Sequence, residues 1–386
     1  MTDTSVIRYK LAFAVAKYIE FGGMQRTMLR MARECMHRGH EVHVFAANWL
    51  GEAPSDIPTH ILPVNALTNH GINRSFSLKM QVAVVGKAFD CITGFTKIEG
   101  LDVYYVGETC YAARAERHGR LYRLLPRYRC LKALEEAVFG AASNSEILLI
   151  APEEGEKCKQ YYNTEPKRLH LLPPGINRDR LVQDIPTTRD CTDLRAKLGV
   201  ANKGFLLLNV VSRFRTKGVD RAIRAVAALP VGIRRRTTLA VVGGDNPRPF
   251  QKLAAALGVG DAVIFTGARE DVAKFYYAAD LLLHPSYTES AGATILEAMI
   301  CGLPVLVTAN CGFAFHVERA QAGLICPQPC EQETLNAMLA HMLTSNTLVD
   351  WGQNGVSYSK STDLYSLIER AADIIIARAQ LNRASQ

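Results

Sequence analysis

The stretch His284-Pro-Ser-Tyr-Thr-Glu-Ser-Ala-Gly-Ala-Thr-Ile-Leu-Glu-Ala-Met-Ile-Cys-Gly302 decides how the rest of the chain is read. Before it, Leu281-Leu-Leu283 is an apolar run of buried-strand character; after it, Gly302-Leu-Pro304 leads into a second, Val305-Leu-Val307. Between the two, Ala291-Gly292-Ala293 opens an apolar helix. Its backbone N–H groups and positive end therefore point at whatever lies beyond the strand. Glu289 stands before this helix and Glu297 inside it, flanked by Ile295, Leu296, Met299 and Ile300. An ionised carboxylate in such company is costly unless a polar partner meets it. Adjacent ribose hydroxyls would serve, because one carboxylate accepts from two O–H donors. The plainer reading keeps Glu289 as a solvated loop charge and Glu297 as the wet edge of a half-buried helix.

Working outward, the 386 residues are enough for two domains of ordinary size. With 48% hydrophobic and 21% charged residues and no low-complexity tract, the composition is that of a globular protein. No apolar segment reaches membrane-spanning length, and Met1-Thr-Asp-Thr-Ser lacks the charged start and cleavage pattern of an export signal. The ten cysteines are scattered without a Cys-x2-Cys pair, which predicts free thiols rather than a disulfide framework. Cys326 and Cys330 flank Pro-Gln-Pro with no histidine partner, so no metal site is expected.

A net charge of +8 asks for an anionic partner. The excess is uneven: Tyr111 to Lys132 carries Arg114, Arg117, Arg120, Arg123, Arg127, Arg129 and Lys132 against Glu116 alone. Leu121, Tyr122, Leu124, Leu125 and Tyr128 are interleaved, a mixture suited to an anionic membrane surface. A solvated basic face fits the same residues. Nucleic acid is a third possibility, with no binding motif to support it.

In the first half, Leu11 to Val15 reads as a strand, Phe21-Gly22-Gly23 as a turn, Met24 to His37 as a helix and Val42 to Phe45 as the next strand. Gly22 and Gly23 thus stand where ligands reach an open parallel sheet, although a tight turn needs glycine equally. Val103 to Val106 is a further strand with Glu108 just past its C-terminal end; Glu146 to Ile150 and Leu169 to Leu172 follow. Pro173-Pro-Gly175 is the domain-boundary candidate. The expected division is 1–174, 175–362 and a terminal helical segment 363–386 packing back on the first domain.

The second half alternates more regularly. Strand Gly204 to Val211 is followed by Ser212-Arg213-Phe-Arg-Thr-Lys217-Gly218 and a helix from Val219; strands Thr238 to Val242, Ala262 to Thr266 and Asp280 to Leu283 come next. This alternation predicts a parallel sheet wound on both faces, and two such units place a natural active site in a cleft between them. Arg213 and Lys217, between a strand and a helix start, suit a diphosphate. As plain surface cations they would sit poorly against the helix dipole. Gly243-Gly244 and Gly267-Ala268-Arg269 end strands of the same sheet and fit either a ligand lining or ordinary turns.

Taken in order, Gly22-Gly23, Pro174-Gly175-Ile-Asn177, Ser212-Arg213-x3-Lys217-Gly218-Val-Asp220 and Glu289-x7-Glu297 resemble the family 4 retaining glycosyltransferases of GT-B fold. Phe21-Gly-Gly-Met-Gln-Arg26, Thr68-Asn-His-Gly71, Leu121-Tyr-Arg123, Arg127-Tyr-Arg129 and Thr362-Asp-Leu-Tyr-Ser366 narrow the resemblance to the glucosyltransferases of the lipopolysaccharide core. The resemblance implies an α/β protein with two Rossmann-like doubly wound domains facing across a cleft, moving glucose from UDP-glucose to a heptose of the inner core. It implies retention, no metal and no cofactor besides the donor; no Asp-x-Asp pair occurs in the chain. By the same resemblance Arg213 and Lys217 neutralise the leaving diphosphate and Glu297 binds the ribose. Ala291, Gly292, Ala293 and Thr294 offer N–H groups, Glu289 faces the transferred sugar, and Gly22, Gly23, Gly243 and Arg269 line the donor. Glu108 is an acceptor-side candidate, standing where relatives tend to carry aspartate. The basic segment would hold the enzyme on the inner face of the inner membrane, with the lipopolysaccharide core as acceptor. A different UDP-sugar or lipid acceptor, a UDP-sugar 2-epimerase and a two-domain sugar-binding protein remain as alternatives.

Overall fold

A computed structural model describes residues 7–19, 23–116, 118–177, 181 and 185–385; Gly22 and Arg117, and the side chain of Arg120, lie outside that description. The chain divides into two compact units, Met1–Pro173 with Ser366–Gln386, and Pro174–Tyr365.

The first unit is built on seven strands: β1 (Lys10–Ile19), β2 (Glu41–Leu50), β3 (Thr59–Ile61), β4 (Cys91–Gly94), β5 (Val103–Tyr105), β6 (Glu146–Leu149) and β7 (Leu169–Leu171). They pair in parallel in the order β3-β2-β1-β4-β5-β6-β7. Parallel strands are covered on both faces, which is why they read as unbroken apolar runs; Leu11 to Val15 are fully buried. The helix Gly23–His37 lays Met28, Met31, Ala32 and Cys35 inward and ends at Gly39, whose φ of +92° suits a left-handed helix stop.

The terminal helix Leu367–Ala384 belongs to this unit and packs on the Gly23–His37 helix and β4. Ala371, Ala372, Ile375 and Ala379 are its buried face. Arg383 clasps Asp90 at 2.8 and 2.5 Å, and Asn382 donates to Asp102 at 2.8 Å. The helix begins four residues after Asp363, because the Asp363 carboxylate accepts from the Tyr365 N–H at 3.0 Å and turns the chain there.

The second unit carries β8 (Phe205–Val210), β9 (Thr237–Val242), β10 (Val263–Gly267), β11 (Leu281–His284), β12 (Val305–Thr308) and β13 (Gly323–Cys326), all parallel, in the order β10-β9-β8-β11-β12-β13. β13 is an edge strand of four residues, too short to declare itself by pattern. The strand order reverses between β8 and β11, and the Asn209 side-chain amide ties the two by donating to the Leu283 carbonyl at 2.5 Å. Open α/β sheets bind ligands beyond the carboxyl ends of strands at such a reversal. The loops that leave β8 and β11 are 211–218 and 285–292.

Candidate active site

Those two loops are locked together by a glycine. Gly218 has φ +72°, and a Cβ there would collide with the Pro285 carbonyl oxygen, so only glycine permits the approach. The Tyr287 N–H donates to Thr216 O at 2.9 Å, and the Tyr287 hydroxyl to Asp220 at 2.8 Å, while Arg221 stacks 3.8 Å from the Tyr287 ring. On the other side, Phe214 N–H donates to the Asp245 carboxylate at 2.8 Å. Gly243 lies so close to the Val211 carbonyl that no side chain fits, which makes it a packing glycine between β8 and β9.

At the seam sits a buried charge cluster. Lys217, 9% exposed, donates to the Glu289 carboxylate and to Thr288 O at 3.3 Å. His284, at the end of β11 and fully buried, brings Nε2 to 3.5 Å from the same carboxylate. Burial by itself would push the Glu289 carboxyl up. The His284 hydrogen bond and the positive charge of Lys217 outweigh it and hold the group down at about 2. Glu289 is therefore ionised throughout the neutral range.

The helix Ala293–Ile300 starts directly beside it. Gly292 caps the helix at φ +96°, and a Cβ built there would lie 3.3 Å from Glu289 Cγ. No side chain caps this helix, so its leading N–H groups are left to face solvent or a ligand. Ala291 anchors the approach by accepting from Phe313 N–H at 2.7 Å. The Thr294 hydroxyl is buried without a hydrogen-bond partner. One turn into the helix, half-buried Glu297 accepts a 2.6 Å hydrogen bond from the Tyr276 phenol, which reaches it from the neighbouring helix Val272–Ala278.

The sequence-predicted residues thus fall unevenly over the structure. Lys217, Glu289, Ala291, Gly292, Ala293, Thr294 and Glu297 share this corner of the second unit. Arg213, in the same loop as Lys217, is exposed and makes no ion pair or side-chain hydrogen bond among the described residues. Arg269 follows β10 and is engaged by Asp271 in a two-point ion pair, both contacts 2.8 Å. In the first unit, Gly23 opens its helix in open space and Glu108 is exposed beyond β5. Sequence reasoning passed over two residues here. His284 stood only as the first residue after the apolar run Leu281-Leu-Leu283, and Tyr276 was not singled out, since no motif marks it.

Outside this corner, Glu135 is the main buried charge of the first unit. It accepts from Lys97, from the Tyr111 and Ala112 N–H groups at 2.7 and 3.0 Å, and from Tyr162 at 2.5 Å. Nearby, Arg120–Leu124 forms a single 3-10 turn leading into the helix Pro126–Phe139. Leu121, Leu124 and Leu125 are 80%, 62% and 46% exposed, with Arg123, Arg127, Arg129 and Lys132 also on the surface. Cys326 and Cys330 are free thiols 3.3 Å apart. No helix among the described residues is long and apolar enough to cross a membrane.

Two parallel doubly wound sheets in one chain are the architecture of the GT-B glycosyltransferases. Residues 190–357 match the family Glycosyl transferases group 1, residues 21–180 match Glycosyltransferase Family 4, and the chain belongs to these glycosyltransferases. It is 42% identical over 368 residues to the lipopolysaccharide glucosyltransferase WaaG of Escherichia coli K12, covering 95% of this chain and 98% of that one. The crystal structure of WaaG, a glycosyltransferase involved in lipopolysaccharide biosynthesis, superimposes with a TM-score of 0.83 at 41% identity, covering 95% of this chain and 99% of that one. A D-inositol 3-phosphate glycosyltransferase of Stackebrandtia nassauensis is 27% identical over 82% of this chain and 78% of its own length. Anabaena Alr3699/HepE, solved with UDP and glucose, shares the fold at TM-score 0.70 and 19% identity, covering 96% of this chain and all of that one.

Proposed function

We propose that this glycosyltransferase moves glucose from UDP-glucose to a heptose of the lipopolysaccharide inner core, with retention at the anomeric carbon and without a metal. The likeness to WaaG over nearly both whole chains supports the donor and acceptor. One observation carries the chemistry: the Lys217–Glu289–His284 cluster at the uncapped start of the Ala293–Ile300 helix.

In this reading the glycosidic bond to UDP breaks as positive charge gathers on the sugar, and the departing diphosphate gathers negative charge. Lys217 is fixed by Glu289 and Thr288, so it needs no reorganisation to meet that charge. Arg213 is free to swing onto the terminal phosphate, and the leading N–H groups of residues 293 and 294 add the helix end. Together they take the part a divalent ion plays elsewhere. Glu289 lies against the helix start with its charge held, facing the sugar. Glu297 takes the ribose hydroxyls. Glu108 serves the acceptor side.

The surface formed by Leu121, Leu124, Leu125 and the arginines around them binds the anionic inner leaflet, where the lipid acceptor is anchored. Exposed leucines beside cations give both apolar insertion and electrostatic attraction.

The test is mass spectrometry of a heptose-terminated core lipid after incubation with the enzyme, UDP-glucose and EDTA. A gain of one hexose supports donor, acceptor and metal independence together. No gain with UDP still bound tightly moves the proposal to another sugar or acceptor. A 2-epimer of the UDP-sugar, resolved by chromatography and formed without acceptor modification, would favour an epimerase.

A further inference from the structure

We infer that Tyr276 is the positioning residue that makes Glu297 a selective ligand for a ribose rather than a deoxyribose nucleotide. The inference rests on the reading of Glu297 as the ribose-binding carboxylate.

Glu297 is carried by a helix whose other neighbours are apolar: Ile295, Leu296, Met299 and Ile300 are all buried. A glutamate side chain has three rotatable bonds, and on a half-exposed helix face it samples several rotamers. Two hydroxyls on adjacent ribose carbons require both carboxylate oxygens in one orientation, so a wandering carboxylate loses much of their combined binding. The Tyr276 phenol removes that freedom. Tyr276 is 1% exposed, so its ring is held by core packing, and its hydroxyl donates to Glu297 Oε2 at 2.6 Å. Short hydrogen bonds to an ionised acceptor are the stronger kind. The bond uses one lone pair of Oε2. It leaves Oε1, and the second lone pair of Oε2, for the two ribose hydroxyls.

The placement follows from the fold. The Val272–Ala278 helix packs its Val272, Phe275, Tyr276 and Ala278 face inward. A phenol at that position would be a poor core residue without a partner for its oxygen, since a buried unsatisfied hydroxyl is penalised. Glu297 supplies an acceptor, and the tyrosine in turn fixes the glutamate. The role is one of holding, as Tyr276 itself does not need to touch the donor.

The experiment compares UDP with 2′-deoxy-UDP and 3′-deoxy-UDP, by calorimetric binding to the full-length protein and its Tyr276→Phe and Glu297→Gln variants. Phenylalanine keeps the ring and its packing, and Glu297 is reached by solvent, so the fold is retained; melting within a few degrees of the parent verifies this. The expected result is that Tyr276→Phe weakens UDP about tenfold while the deoxy nucleotides weaken much less, so the preference for ribose shrinks. In turnover, KM for the donor rises with kcat nearly unchanged, as for loss of binding shared by ground and transition states. In the double variant the two losses do not add, because both act through the same carboxylate. A Tyr276→Phe protein that keeps the parental ribose preference overturns the inference, as does one in which all three nucleotides weaken equally. If Glu297→Gln leaves the ribose preference untouched, it is the reading of Glu297 that fails.

Discussion

His284 Nε2 lies 3.5 Å from the Glu289 carboxylate oxygen that also receives the Lys217 ammonium, and all three groups are largely withdrawn from water. This geometry has a pH signature. Burial, the largest single influence on Glu289, disfavours its charge, but the hydrogen bond from His284 and the charge of Lys217 prevail and bring it from 4.5 to about 2. A carboxyl whose folded value lies below its unfolded value stabilises the fold above the unfolded value. That contribution is lost as pH falls through the folded one. The window is therefore about pH 4.5 down to about 2, and the stabilisation at stake is on the order of 3 kcal/mol. Glu289→Gln should melt well below the parent at pH 7, because it leaves Lys217 buried without a counter-charge. The gap between the two melting curves should narrow steadily across that acid window. Parallel curves from pH 5 to pH 2 would contradict the assignment.

Arg213 and Lys217 share a loop but should fail differently. The Arg213 side chain has no hydrogen-bond or ion-pair partner among the described residues, so Arg213→Ala should leave the melting temperature unchanged. Its kcat/KM with the donor should fall by about a hundredfold, the scale of one lost group that stabilises developing charge. Lys217→Ala should lose at least as much activity and in addition destabilise by roughly 3–5 kcal/mol, since Glu289 is stranded. Differential scanning calorimetry beside steady-state kinetics separates the two. Equal melting temperatures for the two variants would mean that the Lys217–Glu289 pair is energetically idle.

That difference between two neighbouring cations marks the limit of what the sequence alone discloses. The sheets were legible because a parallel strand has to be apolar on both faces, and short runs such as Leu281-Leu-Leu283 and Val305-Leu-Val307 meet that demand without a polar break. The helix start after Ala291-Gly292 was legible because the φ of +96° at Gly292 is a local demand with a local residue to meet it. The burial of Lys217 was not, since it depends on Gly218 meeting the Pro285 carbonyl, a contact across 67 residues of chain. Tyr276 and Glu297 are 21 residues apart on two helices, and no periodicity within either one joins them. Arg269 is the reverse case. Its partner Asp271 was in plain view two residues on, and a cation with an adjacent acid is a weaker candidate for phosphate than its position after β10 suggests.

Within the first unit, Glu135 is a test of how a buried charge is kept. It is 0% exposed and collects Lys97, Tyr162 and two backbone N–H groups at the start of the Tyr111–Ala115 helix. Glu135→Gln keeps the size but deprives the Lys97 ammonium of its counter-charge, a loss of roughly 3–5 kcal/mol. Adding Lys97→Met removes the stranded cation, so the double variant should melt above Glu135→Gln alone. A double variant that melts lower would show that Lys97 is held by something other than Glu135.

The proposed membrane surface separates charge from apolar insertion, and each has its own variant. Arg123, Arg127 and Arg129 are exposed around Leu121 and Leu124. A basic residue near an anionic bilayer contributes about 1 kcal/mol, so changing all three to glutamine should weaken binding to phosphatidylglycerol vesicles roughly a hundredfold. The parent's own binding should fall as salt rises, while the triple variant should respond much less, because screening acts only on the charges that remain. Leu121→Ser with Leu124→Ser should weaken vesicle binding as well, but keep the parental salt dependence. UDP affinity should be unaltered in both variants, since both lie in the first unit and the proposed donor site is built from the second. Vesicle sedimentation across a salt series reads all of this at once, and undiminished sedimentation of the triple arginine variant would leave the basic segment as an ordinary solvated face.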